Sequence, residues 1–296
     1  MSAQRFDVIV CGSLHLDIMV YAPLLPRADE TVAGTRWEQR CGGKGGNQAA
    51  AAAKAGARVA MIARIGADEF GARLRANLEA AGVDARAVLV DAEAGSGMSA
   101  AIVREDGDYA AVIVSGANLR IDPAAVAGKW RMLGGARALL LQNEIPEPVN
   151  LAAARAARAA GALVVLNAAP ARPISSDLVD LVDVLVVNRL EAEPIVGGAV
   201  ANRADAAAAL RKRRRPGRAI IVTLGGEGAV VQQSGGEPVE IAPRPVEVAS
   251  THGAGDCFAG ALAAALARGD ALLDAAKAAN DAAADHVAGG APARAS

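Results

Sequence analysis

The stretch 137–167, RALLLQNEIPEPVNLAAARAARAAGALVVLN, decides the fold. It opens on a continuous apolar run (137–142), passes through the polar group Gln142-Asn143-Glu144, and enters an alanine-rich segment of helical character (147–160). Gly161 supplies the usual helix stop, and a second apolar run follows at 163–167. Continuous apolar strands that alternate with helices predict a parallel sheet covered on both faces. The same rhythm extends outward in both directions. Further apolar runs lie at 7–11, 58–65, 183–187 and 218–224, and further helical stretches at 47–55, 68–81, 203–213 and 254–268. This order predicts an open, doubly wound, mostly parallel α/β sheet with helices on both faces. Two regions break the rhythm. Residues 18–40 are rich in turn formers, and 98–115 read as a hairpin about Glu105-Asp106-Gly107-Asp108. Together they are expected to form a small β-sheet lid, inserted in a single domain spanning 1–296.

Composition bounds the function classes. The chain has 296 residues, a formal net charge of -1, 53% hydrophobic residues and 2% aromatic residues. That balance excludes wholesale disorder and a basic nucleic-acid binder. Every long apolar run is broken by Arg, Lys, Asp or Gly within roughly a dozen residues, so no membrane partner is expected. Cys11, Cys41 and Cys257 are far apart and suggest neither a disulfide framework nor a zinc knuckle. Each is expected as a small buried hydrophobe. Without a signal-peptide pattern at its start, the chain is expected in the cytoplasm. The basic run 211–215 reads as the solvated end of a helix, where cations complement the dipole. Alanine makes up 74 of the residues and reads as helix filler.

Chemistry is expected at the carboxyl ends of the strands, where open α/β sheets bind their ligands. Gly12-Ser13-Leu14-His15-Leu16-Asp17, Gln142-Asn143-Glu144, Asn188-Arg189-Leu190-Glu191 and Thr223-Leu224-Gly225-Gly226-Glu227-Gly228 all follow apolar runs. Loop capping explains any one of these groups well and all four poorly. Two glycine-rich segments open helices: Gly42-Gly43-Lys44-Gly45-Gly46-Asn47-Gln48 and Ser250-Thr251-His252-Gly253-Ala254-Gly255-Asp256. The first is not a Walker A motif, because Gly45 follows Lys44 where Ser or Thr is needed. In the second, the N–H groups of Gly253, Ala254 and Gly255 are expected to converge as an anion hole. Asp256 is then either a dipole partner of the helix or a general base.

With these motifs the chain resembles the ribokinase or PfkB-type carbohydrate kinase family over nearly its whole length. Gly43-Lys44-Gly45-Gly46-Asn47 and Gly253-Ala254-Gly255-Asp256 carry the resemblance, with support from Asp17, Glu144, Asn188, Glu191 and Thr223-Leu224-Gly225. The resemblance implies transfer of the ATP γ-phosphoryl group to a sugar hydroxymethyl, under a β-sheet lid that often doubles as a homodimer interface. Ribose is the expected sugar. The resemblance further implies that Asp17 holds two sugar hydroxyls, that Gly43, Lys44 and Asn47 line the sugar pocket, and that Glu144 lies beneath. Asp256 becomes the base. Asn188 and Glu191 organise Mg²⁺ and phosphates through water, with Glu191 the residue on the metal side. Thr223, Gly225 and Gly228 flank the nucleotide, and Asn280 stands where the family contacts adenine.

Two positions depart from the family pattern. His15 stands where ribokinases usually carry Asn, and it either contacts the ligand or packs under the lid. Ser250 stands where the family often has an Asp that helps bind an activating potassium ion, so a weak potassium response is expected. A nucleoside kinase, or a kinase of another sugar or sugar acid, is the alternative within the family. Aromatic residues that could stack a base are few in the lid regions (Tyr21, Trp37, Tyr109), which favours a free sugar. A dinucleotide-dependent oxidoreductase needs Gly-x-Gly-x-x-Gly after the first strand, and Gly12-Ser13-Leu14-His15 does not supply it. A catalytically silent binding module would lack Asp256 or the glycines, and both are present.

Overall fold

A computed structural model describes residues 6–104, 109–212, 218–233 and 235–289. Its strands are β1 (Phe6–Cys11), β2 (His15–Tyr21), β3 (Arg36–Gly42), β4 (Val59–Gly66), β5 (Val83–Asp84), β6 (Val88–Asp91), β7 (Gly97–Val103), β8 (Tyr109–Val114), β9 (Ala136–Leu141), β10 (Leu163–Asn167), β11 (Val184–Asn188), β12 (Ala219–Thr223), β13 (Ala229–Gln233) and β14 (Val239–Ile241). The helices are α1 (Lys44–Lys54), α2 (Glu69–Ala80), α3 (Pro123–Met132), α4 (Glu147–Ala159), α5 (Ser176–Val179), α6 (Arg189–Val196), α7 (Arg203–Lys212), α8 (Ala254–Arg268) and α9 (Leu272–Val287).

The main sheet runs β14-β13-β12-β11-β10-β9-β1-β4-β5, and β6 pairs with β4 as well. From β12 to β5 the pairing is parallel, and β13 and β14 add two antiparallel pairs at one edge. The expected doubly wound α/β sheet is therefore the observed one. Although the strands read as continuous apolar runs, their side chains alternate between two packed layers. Val8, Val10, Met61 and Leu140 face α1, α2, α8 and α9. Ile9, Cys11, Ile62, Leu139 and Leu141 face α3, α4 and α5. Further along the sheet, Val187 and Val222 face α6 and α7. Gly161 takes φ +70 just beyond α4, a left-handed stop that Cβ-bearing residues rarely adopt.

A second, four-stranded sheet has the order β3-β2-β7-β8. β2 begins at His15, so His15 and Asp17 belong to this sheet rather than to the loop after β1. The strands of the predicted hairpin pair antiparallel from Met98↔Val114 to Val103↔Tyr109. Its turn, 105–108, lies outside the described residues, as do Arg213, Arg214 and Arg215 of the basic run.

Alanine proves to be more than filler in α8. From Ala259 to Ala265 the helix is fully or almost fully buried, wedged between the sheet and its neighbours α1 and α9. At Gly260 the crossing is so close that a Cβ would stand 2.4 Å from Gln48 O and 2.7 Å from Ala51 Cβ. Small side chains let two helix axes approach, and that approach brings the start of α8 against α1.

Candidate active site

The carboxyl edge of the main sheet gathers the polar residues. Cys11 lies beside Leu141, Leu141 beside Leu166, and Asn188 beside Thr223, so the segments that follow these strands form one row. The first glycine-rich segment enters α1 at Lys44, earlier than the helix start expected at 47. Its glycines serve internal packing. A Cβ at Gly45 would meet Ser13 N at 2.6 Å and Ser13 O at 2.7 Å, so α1 can lean on the turn after β1 only without a side chain there. By contrast, ideal Cβ atoms at Gly225, Gly226 and Gly255 would meet open space. Backbone at those three positions is open to a ligand.

Asp256 sits in the first turn of α8 and is 7% exposed. Its Oδ2 accepts from Asn47 Nδ2 at 3.0 Å and its Oδ1 from Gln48 Nε2 at 3.0 Å. Gln48 Nε2 also donates to Asn167 Oδ1 at 3.0 Å, which ties the end of β10 into the cluster. Burial drives the Asp256 carboxyl above the usual carboxylate range, while the Lys44 charge and the two amides pull it back. The result is an ionisable group held by fixed donors at a helix N-terminus. Gly253 caps α8 in the left-handed region (φ +76), and the Ala254 N–H makes a long bond of 3.3 Å to Thr251 O. From α9, His286 braces this loop, its Nε2 lying 2.7 Å from His252 O. The Ser250 side chain is engaged locally, its Oγ accepting from the His252 N–H at 3.3 Å, while the Ser250 N–H donates to Val287 O at 3.2 Å.

Glu144 anchors the other side. Its Oε2 accepts from Ser13 Oγ at 2.5 Å and from the Lys44 N–H at 2.8 Å. His15 is buried with Nδ1 3.8 Å from the same oxygen and Nε2 3.4 Å from Asn118 Nδ2. Asn118 clamps the segment between β1 and β2 from both directions, accepting from the Leu14 N–H at 2.9 Å and donating to Leu14 O at 2.8 Å. Packing under the small sheet and facing a ligand are compatible for His15, because with Asn143 and Glu144 it also lines a cavity of about 300 Å³. Asp17 on β2 accepts from Ser99 Oγ, and its Oδ2 overhangs Gly42, where a Cβ would stand only 2.3 Å away.

Asn188 and Glu191 spend their groups first on each other. They form a reciprocal capping box at α6, with the Glu191 N–H donating to Asn188 Oδ1 and the Asn188 N–H and Nδ2 donating to the two Glu191 oxygens, all at 2.9 Å. Burial raises the Glu191 carboxyl above its ordinary range, and the Lys44 charge opposes it. Lys44 is therefore the cation acting on both buried carboxylates. Among the described residues no cluster of three His, Cys, Asp or Glu could cage a metal. With their groups engaged in the α6 cap, Asn188 and Glu191 would hold a Mg²⁺ only through its waters. Thr223 Oγ1 donates to Val187 O at 3.3 Å and Asn280 Nδ2 to Ala242 O at 3.2 Å, so both are already oriented. Gly228 (φ +86) is fixed by β14, for a Cβ would stand 2.2 Å from Ile241 O.

Lys44, Asn47, Glu144, Glu191 and Asp256 are linked by hydrogen bonds or by the Lys44 charge, with Asn188 bonded to Glu191 and His15 beside Glu144. The side chains of Asp17, Thr223 and Asn280 bond to Ser99, Val187 O and Ala242 O instead. Gln48, Asn167, Ser13 and Asn118 were not singled out from the sequence. A buried amide inside an alanine helix (Gln48) was the available signal. The three cysteines are free; Cys11 is buried, its thiol pushed up to about 12, and Cys41 and Cys257 are half-buried.

Residues 5–289 match the model of the pfkB family carbohydrate kinases. Over 279 residues the chain is 35% identical to the ribokinase of Bacillus subtilis, covering 94% of this chain and 91% of that protein. Ribokinase of Mus musculus is 32% identical over 263 residues, 88% of this chain and 81% of the relative. A solved structure of Arabidopsis thaliana ribokinase complexed with ribose and ATP superposes with a TM-score of 0.85 at 29% identity, covering 96% of this chain and 93% of that one. The chain belongs to the pfkB family of carbohydrate kinases and is a phosphotransferase that uses an alcohol group as acceptor.

Proposed function

We propose that this sugar kinase acts on ribose, moving the γ-phosphoryl group of ATP to the hydroxymethyl oxygen with Asp256 as base. One observation carries the reading: the Asp256 carboxylate is held by Asn47 and Gln48 at the N-terminus of α8, beside the Lys44 charge. The sugar hydroxymethyl lies against Asp256, which takes its proton as the oxygen attacks phosphorus. The bond to the leaving ADP oxygen breaks, and the proton stays on the carboxyl. Charge on the phosphoryl oxygens is received by the N–H groups of Gly253, Ala254 and Gly255, with Ala254 exchanging its long bond to Thr251 O for the phosphoryl oxygen. Mg²⁺, when bound, neutralises phosphate charge. Asp17 takes two sugar hydroxyls side by side, Gly43, Lys44 and Asn47 line the sugar, and Glu144 accepts from beneath. Thr223, Gly225 and Gly228 flank the nucleotide and Asn280 meets adenine. The enzyme works in the cytoplasm as a homodimer.

A second reading, a kinase of a bulkier sugar or a sugar acid, is favoured by the roughly 300 Å³ cavity beside His15, Asn143 and Glu144. Release of ADP across pentoses, hexoses, sugar acids and nucleosides, with magnesium ATP and with or without potassium, separates these readings. Ribose should be the best substrate and potassium should change its rate little. Preference for a sugar acid or nucleoside transfers the assignment, and silence on every sugar sinks it. Asp256→Asn should lower turnover about 10²–10⁴-fold while ribose binding stays measurable by calorimetry. Wild-type turnover in that variant removes Asp256 from its role.

A further inference from the structure

A parallel crossover usually carries a helix long enough to cover the sheet face it passes. The crossover from β10 to β11 carries only the four-residue α5. Beside it, over β10, β11 and β12, lies a cavity of about 620 Å³, lined by apolar side chains that include Leu166, Leu185, Ile195 and Ile220. The volume is that of a small-molecule pocket, and such pockets pair an apolar wall with a few placed polar groups.

Arg172 is the polar group that is not satisfied. It lines this cavity, and its Nη1 donates to Ile145 O at 2.9 Å, while Nε and Nη2 are buried without a partner. Those two nitrogens form one edge of the guanidinium, the side-on fork that matches a carboxylate in two parallel hydrogen bonds. Burial depresses the Arg172 pKa, and the Glu147 charge offsets this only in part. The other cavity arginine, Arg218, is already engaged with Val179 O and Asp180.

We propose that this cavity is a binding site for a monocarboxylic acid with a hydrocarbon body. The carboxylate pairs with the Nε and Nη2 edge of Arg172, and the hydrocarbon covers Leu185 and Ile220. Glu191 stands on the cavity wall, so the occupant lies against the buried carboxylate that caps α6.

Calorimetric titration of the full chain with straight-chain acids of four to eight carbons, and with the matching alcohols, tests the site. Each added CH₂ should tighten acid binding about 3- to 4-fold. Acids should bind about 10- to 100-fold more tightly than alcohols of the same length, and Arg172→Gln should erase that gap while leaving the alcohols unchanged. Leu185→Trp should abolish both, with Ile220→Trp in its place if the first variant fails to fold by circular dichroism. Arg172 also borders the smaller cavity beside His15, but Leu185 and Ile220 do not. Acid binding that survives the tryptophan variants, equal affinity of acids and alcohols, or no dependence on chain length overturns the proposal. So does a mass doubling by light scattering that Leu185→Trp reverses, which would give this face to a second copy.

Discussion

Asp256 combines two amide donors, which favour its charge, with burial, which opposes it. A base must be ionised to accept a proton, and a raised pKa means that ionisation is lost at higher pH than for an ordinary aspartate. The acid limb of kcat/KM should therefore lie above the ~3.9 of a free Asp side chain. Gln48→Glu replaces one donor by a second carboxylate and adds like-charge repulsion. The acid limb should then shift to higher pH, with turnover at high pH less affected than at low pH. An unmoved pH profile would detach Gln48 from the base. Asp256 and Asn47 were legible in the sequence because each stands at a helix start behind glycines. Their partners were not: Gln48 reaches Asn167 across 119 positions and Asp256 across 208, and no local pattern records such pairing. Asn188 and Glu191 illustrate the converse, since an Asn-x-x-Glu spacing satisfies a helix end before it serves any ligand.

At the scale of elements, the α1–α8 crossing sets the geometry around Asp256. Gly260 lies one turn beyond Asp256 and faces Gln48 O and Ala51 Cβ at distances no Cβ tolerates. Gly260→Ala should cost about 1–3 kcal/mol through overpacking, read from the urea midpoint, and should lower kcat by moving Asn47 and Gln48 away from the carboxylate. Unchanged stability would mean that the helices are not in contact there. The six central strands were legible, because buried parallel strands read as apolar runs between helices. Short pieces were not. β5 has two residues, β14 three, and α6 carries Pro194 inside it, so none presents a period long enough to read.

For the whole molecule, the small sheet presents an apolar surface. Val112, Val114 and Trp37 are 69%, 52% and 67% exposed. A surface of this kind marks an interaction site more often than a solvated face. We propose that it joins two copies, as the β-sheet lid expected from the sequence would. Val112→Asp should then give a monomer by light scattering while the monomer's secondary structure stays intact. A variant that keeps the wild-type mass places any contact elsewhere.

Asn47 and Asp256 meet across 209 positions, and that distance governs how the protein is born. Synthesis runs at roughly 5–20 residues per second, so β1 waits on the order of 10–50 s for α8 to be made. Until then Val8, Val10, Met61 and Leu140 lack α8, one of the helices that cover them. A nascent chain of this kind leaves the part of its sheet under α8 uncovered until that helix is made, and it offers that part to chaperones or to its neighbours. In the proposed mechanism, the docking of α8 on α1 that removes the hazard also brings Asp256 to Asn47 and Gln48.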